Sequence, residues 1–212
     1  MAVSRRYATA MVPFLCAVLL SGCAPPGEPS LTSSERDIIR AEIDDDNWRA
    51  VAIAFPQALR PEVHTLRTIN EHSWSDRMQS CLAKAGFGAS AAHDHVFVGT
   101  DSERSAIGYA IASYECRTKY PTVSQIVHYL DQRQLVGLYS YYLGTVRPCL
   151  LLAGAPSPRP PSQLAYVISL FSIPEWHPFQ QVWDGGTPDS RLRYLEQRCP
   201  PIPPWLDLRG AG

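Results

Sequence analysis

The residues of this chain with the clearest chemistry are its six cysteines. Two stand near the start, Cys16 and Cys23; four are spread through the rest, Cys81, Cys116, Cys149 and Cys199. Four thiols in an oxidising compartment read as two disulfides, and four cysteines allow three pairings. Two of them open a repeated hexapeptide, Cys81-Leu-x-x-Ala-Gly86 and Cys149-Leu-x-x-Ala-Gly154. Trp74 and Tyr142 each precede their cysteine by seven residues, close to two helical turns, so aromatic and thiol share a face. Each copy ends in Gly, which closes helices in the left-handed conformation. Downstream of each comes a lone cysteine near a helix end and prolines, Cys116 before Pro121 and Cys199 before Pro204. The simplest reading is two units, each bridged to its own following helix: Cys81–Cys116 and Cys149–Cys199. The loops closed hold about 36 and 51 residues, which chain-entropy arguments value at roughly 4 kcal/mol each.

Other reactive patterns are weak. His93-Asp94-His95 offers two imidazoles at strand spacing, but a metal site needs three or four ligands and no third is indicated. The stretch 86–91 fits G-x-G-x-x-A, yet it follows a helix end rather than a strand. There is no G-x-S-x-G elbow and no H-E-x-x-H. Carboxylates for glycoside chemistry would have to come from Glu115, Glu175, Asp184 or Asp189. The aromatic residues are the remaining resource. Tyr139, Tyr141 and Tyr142 share one helix; Trp176, Phe179 and Trp183 sit in a proline-flanked loop. Such residues line sugar- or peptide-binding clefts or plug the core beneath a loop. The plug is the stronger reading, and the candidate cleft is Tyr139, Tyr141, Tyr142, Trp176 and Trp183, with Tyr141 the most exposed.

The first residues place these groups outside the cytosol. Arg5 and Arg6 precede an apolar run from Ala8 to Leu20, too short to span a bilayer. It closes on Leu20-Ser21-Gly22-Cys23, which resembles the lipobox of bacterial lipoproteins. The Cys23 thiol is then expected to take a diacylglyceryl group, with palmitate-type chains, and to become the N-terminus. Two acyl chains anchor stably where one does not. The stretch "APPGEPSLTSS" that follows reads as a flexible tether. The expected organisation is a signal peptide at 1–22, a tether at 23–33 and one disulfide-braced domain at 34–212.

Composition agrees with one globular domain. Hydrophobic residues make up 45% of the chain and charged residues 18%, which excludes a disordered chain. Nineteen basic against 20 acidic residues leave no basic stripe for phosphates, so nucleic acid is not an expected partner. Asp44-Asp45-Asp46 reads as a solvated helix end rather than a cation site.

Helix starts are legible at Thr32-x-x-Glu35, Ser73-x-x-Asp76, Thr100-x-x-Glu103 and Asp131-x-x-Gln134, and at Ser162 and Thr187-Pro188. Helical apolar stripes follow: Ile39 to Phe55; Trp74, Met78, Cys81, Leu82; Ile107 to Tyr114; Leu135 to Val146; Leu164, Val167, Ile168, Phe171; and Leu192, Leu195, Cys199. Pro148 predicts a kink or one-turn break before Cys149. Strands are expected at 62–69 and 95–100, paired in a small sheet around a helix at 73–85. The expected fold class is α+β, mainly α-helical: a compact helical domain with a two-stranded sheet and two disulfides.

The segments "CLAKAGF", "ASYECRTKYP", "LYSYYLGTVRPCLLLAG", "PSPRPPS", "EWHPF" and "RCPPIPP" occur in that order. Together they resemble a group of uncharacterised actinobacterial lipoproteins, over roughly residues 48–205. The resemblance implies export, four paired cysteines and a mostly helical domain. It implies no activity. The functional expectation is an exported, membrane-anchored lipoprotein on the extracytoplasmic face, held by lipid through Cys23, with no cofactor, no metal and no enzyme activity. It would bind a partner or ligand of the cell envelope. The alternatives are an envelope enzyme acting on cell-wall or peptide substrates, and an accessory structural subunit of an envelope complex.

Overall fold

The computed structural model describes residues 29–92, 95–98, 103–169 and 176–209. The leader, Cys23, the first part of the tether, His93, Asp94, Thr100, Phe171 and Glu175 lie outside the described residues.

Helix α1 (Ser33–Ala54) starts at a reciprocal cap. Thr32 Oγ1 accepts the Glu35 N–H at 3.1 Å, and Glu35 Oε2 accepts the Thr32 N–H at 2.7 Å. Those bonds hold the Glu35 carboxyl below its ordinary range. The helix ends just before Pro56, buries Ile39, Ile43 and Val51, and packs on α3 (Glu103–Lys119). A 3₁₀ turn (Glu71–Ser73) leads into α2 (Trp74–Lys84). The cap expected from Ser73 is absent; Asn70 Oδ1 instead accepts the Ser73 N–H at 2.8 Å. Next come α4 (Val123–Val127), α5 (Gln132–Tyr141), a π-helical turn (Tyr142–Val146) and α6 (Arg147–Leu152). The last helices are α7 (Gln163–Ser169), α8 (Gln180–Asp184) and α9 (Asp189–Arg198).

The expected α+β class is corrected to a helical fold. Segment 62–69 has the alternation of a strand, but only Ile69 pairs, in a single bridge with Thr122. Its other polar groups are taken by different neighbours. Leu66 N–H donates to Lys119 O at 2.9 Å, and Thr68 Oγ1 donates to Leu206 O at 3.2 Å. A strand needs one continuous partner, and this segment threads between α3 and the C-terminal tail. The stretch expected at 95–100 pairs only with its sequence neighbour. Ala89–Ala92 (β1) and His95–Val98 (β2) make a local antiparallel hairpin beyond α2, with Ala89 opposite Val98. That excursion forms no sheet layer under the helices.

The repeated hexapeptide is a helix end written twice. Gly86 and Gly154 have φ of 89° and 69°, where a Cβ would be strained. Phe87 N–H reaches back to Leu82 O at 3.0 Å, and Ala155 N–H to Leu150 O at 2.9 Å. Both are Schellman closures of α2 and α6. Cys81 is bonded to Cys116, and Cys149 to Cys199. The second bridge does not reach the helix that follows: it passes over α7 and α8 to the end of α9.

Each bridge lies in its own apolar cluster. Met78, Leu82, Ala112 and Cys116 form the smaller one, between α2 and α3. The larger gathers Leu135, Leu138, Tyr142, Val146 and Leu150 with Tyr166, Phe179, Leu195 and Cys199. The one-turn break expected at Pro148 falls just before it, and Cys149 lies on the continuing helix. The π turn at Tyr142–Val146 widens the backbone one turn earlier and carries α5 into α6. On α7 the expected stripe is split: Leu164 and Ile168 are 71% and 62% exposed, Val167 packs partly against the larger cluster, and Tyr166 enters the core.

The described part of the segment 23–33 begins at Pro29 and packs on the helices. Leu31 is buried, and Pro29 lies so close over Gly137 that no Cβ fits there. The aspartates of α1 are not a solvated helix end either, since they stand mid-helix. Asp44 and Asp45 grip Arg60 at 2.6 and 2.7 Å, and Asp46 accepts from Tyr129 Oη at 2.9 Å. Burial works to lower the Arg60 pKa, but the Tyr114 hydroxyl and the two carboxylates raise it overall, so the guanidinium stays charged.

Candidate functional site

A cleft of about 580 Å³ opens where the two disulfide-braced clusters meet. Its lining comes from five places: Glu71 and His72 in the 3₁₀ turn, Trp74 at the start of α2, Arg117 near the end of α3, Thr122, Ser124 and Gln125 at the start of α4, and Trp183 and Asp184 at the end of α8.

The backbone between Ile69 and Val123 sets the geometry. Ile69 N–H donates to Pro121 O at 2.9 Å, and Val123 N–H donates to Ile69 O at 3.1 Å. This pair of bonds holds the 3₁₀ turn beside α4. Glu71 Oε1 then accepts the Ser124 N–H at 2.6 Å. Thr122 and Gln125 close a second reciprocal cap on α4. On the opposite wall, Glu196 Oε1 of α9 accepts the Trp183 indole N–H at 3.3 Å and the Asn70 amide at 3.5 Å. One carboxylate oxygen therefore ties the indole of one cluster to the turn of the other.

Both indoles keep solvent-exposed surface. His72 stacks on Trp183 at 5.4 Å between ring centroids, 5° from parallel. The Arg117 guanidinium lies over the Trp74 ring at 5.8 Å. Arg117 and Asp184 make no ion pair or hydrogen bond among the described residues. The two indoles give the walls their apolar surface, and the other lining residues are polar, with donors and acceptors and both signs of charge among them.

The chain matches no family model, no curated protein and no solved structure. The site has to be judged on its own chemistry. Among the described residues no group of three His, Cys, Asp or Glu is placed to hold a metal ion, and His93 and Asp94 lie outside them. No helix among them is long and apolar enough to cross a membrane. The groups with displaced acidities, Glu35, Arg60, Tyr114, Tyr129, Asp131, Tyr141 and His177, all lie outside the cleft lining.

Of the five aromatic residues expected to form a cleft, only Trp183 lines it. Tyr139 and Tyr142 are buried in the larger cluster, where they meet Tyr166 and Trp176. Tyr141 is half-buried and, as expected, the most exposed of the three tyrosines; its hydroxyl donates to Pro200 O at 2.8 Å, and burial pushes that hydroxyl's pKa up. His177 sits among Tyr142, Phe179 and Trp183, with Trp183 stacked at 4.5 Å. Burial draws its pKa down to about 3. Among the expected carboxylates, Asp184 reaches the cleft, whereas Glu115 pairs with Lys119 at 2.7 Å. Sequence reasoning missed Glu71, His72, Trp74, Arg117 and Ser124 as one site. The available signal was Thr122-x-x-Gln125, a capping box that marks α4 and so the turn opposite Glu71.

Proposed function

We propose that this chain is an exported lipoprotein, anchored through acylated Cys23, that binds a ligand of the cell envelope in the cleft between Trp74 and Trp183. The cleft is the observation that carries the binding reading: two part-exposed indoles, one under the Arg117 guanidinium and one under the His72 ring, beside an exposed Asp184 carboxylate. Such a mix of aromatic surface and converging polar groups is the usual make-up of a ligand site. The Leu20-Ser21-Gly22-Cys23 pattern and two disulfides support the location, because structural disulfides persist in oxidising compartments. The likeness to actinobacterial lipoproteins belongs to the same proposal.

Trp183 reports on the site directly. Oxidative footprinting of the anchored protein in native envelopes should protect Trp183 and Trp74 relative to the purified full-length protein in detergent. Equal oxidation in both would overturn the binding reading. Cys23→Ala should release the protein from membranes, and retention would overturn the anchor.

A further inference from the structure

We infer that the ligand of this cleft is a neutral carbohydrate segment longer than one sugar ring; the inference rests on the binding reading above. Three observations lead there. The first is shape. The cleft holds about 580 Å³, within the ordinary range of ligand sites and more than one pyranose fills. Its planar surfaces are two stacks, the Arg117 guanidinium over the Trp74 ring and the His72 ring on Trp183. A pyranose presents a flat face of C–H groups that packs on such a surface.

The second observation is the polar inventory. Glu71 and Asp184 accept only, Arg117 donates only, and Ser124 does both. A sugar hydroxyl donates one hydrogen bond and accepts up to two. A polyol therefore satisfies carboxylate and guanidinium together, each through a charge-assisted bond. The third observation is charge. An anionic ligand would meet Glu71 and Asp184, and a cationic one would meet Arg117. Like charges brought together inside a partly desolvated site are costly, and they reject the wrong partner. A neutral ligand meets no such repulsion. An extended peptide would look for an open strand edge. The extended backbone at hand, Ile69, already pairs with Pro121 and Val123.

The test uses full-length protein in detergent, followed by tryptophan fluorescence and saturation-transfer NMR. Chitotriose, maltotriose and mannotriose serve as neutral probes, with trialanine and trigalacturonate as zwitterionic and anionic ones. At least one neutral trisaccharide should bind saturably, with Kd of about 1 mM or tighter. That Kd should change less than about twofold between low and high salt, because no net charge is screened. Trp183→Ala should raise it at least about tenfold. Asp184→Asn, at an exposed position without a described partner, should raise it about fivefold with the fold intact. Stronger binding of trialanine or trigalacturonate overturns the inference. So does binding that neither variant weakens, or the absence of binding by all three neutral probes. If Trp183 stays protected in envelopes in those cases, the cleft binds something other than a neutral sugar. If it is unprotected as well, the binding reading falls too.

Discussion

Lowering the pH from 7 to 5 should cost the folded chain about 2 kcal/mol through His177 alone. The imidazole is held neutral. Its Nδ1 accepts the Phe179 N–H at 3.1 Å, and its other nitrogen donates to Pro201 O. A second proton would land on Nδ1, facing a donor, among the rings of Tyr142, Phe179 and Trp183. Burial therefore lowers the folded-state pKa to about 3 from the ordinary 6.5. Between those values the unfolded chain binds the proton and the folded chain does not, so stability rises with pH. The contribution is complete above pH 6.5 and drains away as pH falls toward 3, by about 1.4 kcal/mol per unit once well below 6.5. Integrated from pH 7 to pH 5, this gives about 2 kcal/mol. Glu35 and Asp131 have lowered pKa values, each through cap hydrogen bonds, so their contributions disappear in a more acidic window. Urea unfolding at pH 7 and pH 5, with the disulfides intact, measures the loss. His177→Gln keeps one acceptor and one donor but cannot titrate, and every other histidine is common to both proteins. The variant should lose about 2 kcal/mol less than the parent over this range. A loss matching the parent's within about 0.5 kcal/mol would refute the reasoning, as would an imidazole NMR signal of His177 that titrates near 6.5.

Three further outcomes are expected. Replacing Cys149 and Cys199 together by Ala should cost about 4 kcal/mol, a large share of a stability of about 5–15 kcal/mol, read as a drop in thermal midpoint. Tyr114→Phe should cost about 2 kcal/mol by chemical denaturation, because it deletes a buried hydroxyl that donates to Asp44 Oδ1 at 2.6 Å and leaves Asp44 short of a donor. Gly137→Ala should expel Pro29 from α5 and destabilise by about 1–3 kcal/mol, with faster hydrogen exchange confined to residues 29–35 and α5.

Legibility followed locality. Caps at Thr32, Asp131 and Ser162 were readable because each is a bond across three residues. The glycine closures at Gly86 and Gly154 were readable for the same reason. The strand expected at 62–69 failed because alternation of side chains does not say whether a partner strand exists. The five-residue α4 carries too short a period to stand out beside the longer stripes. The outward turn of Leu164 and Ile168 was hidden because Tyr166, between them, wins the interior through three aromatic neighbours far away in sequence. The aromatic cluster was legible as a plug. The cleft was not, since its walls begin at residues 71, 117, 122 and 183, and only folding brings those together.

The two bridges brace different walls of the cleft. Trp74 and Arg117 stand on the two helices joined by Cys81–Cys116, one next to the bridged Cys116 itself. Trp183 stands on α8, inside the loop closed by Cys149–Cys199. Each wall therefore belongs to a different disulfide-braced segment. The walls are related by α1, which buries Ile39 and Ile43 in the larger cluster and packs on α3, by the His72–Trp183 stack, by the Ile69 pairing with Pro121 and Val123, and by the Glu196 oxygen shared between Asn70 and Trp183. On the proposed binding reading, the two bridges would keep Trp74 and Trp183 on separately braced parts of the chain, one on each side of the cleft.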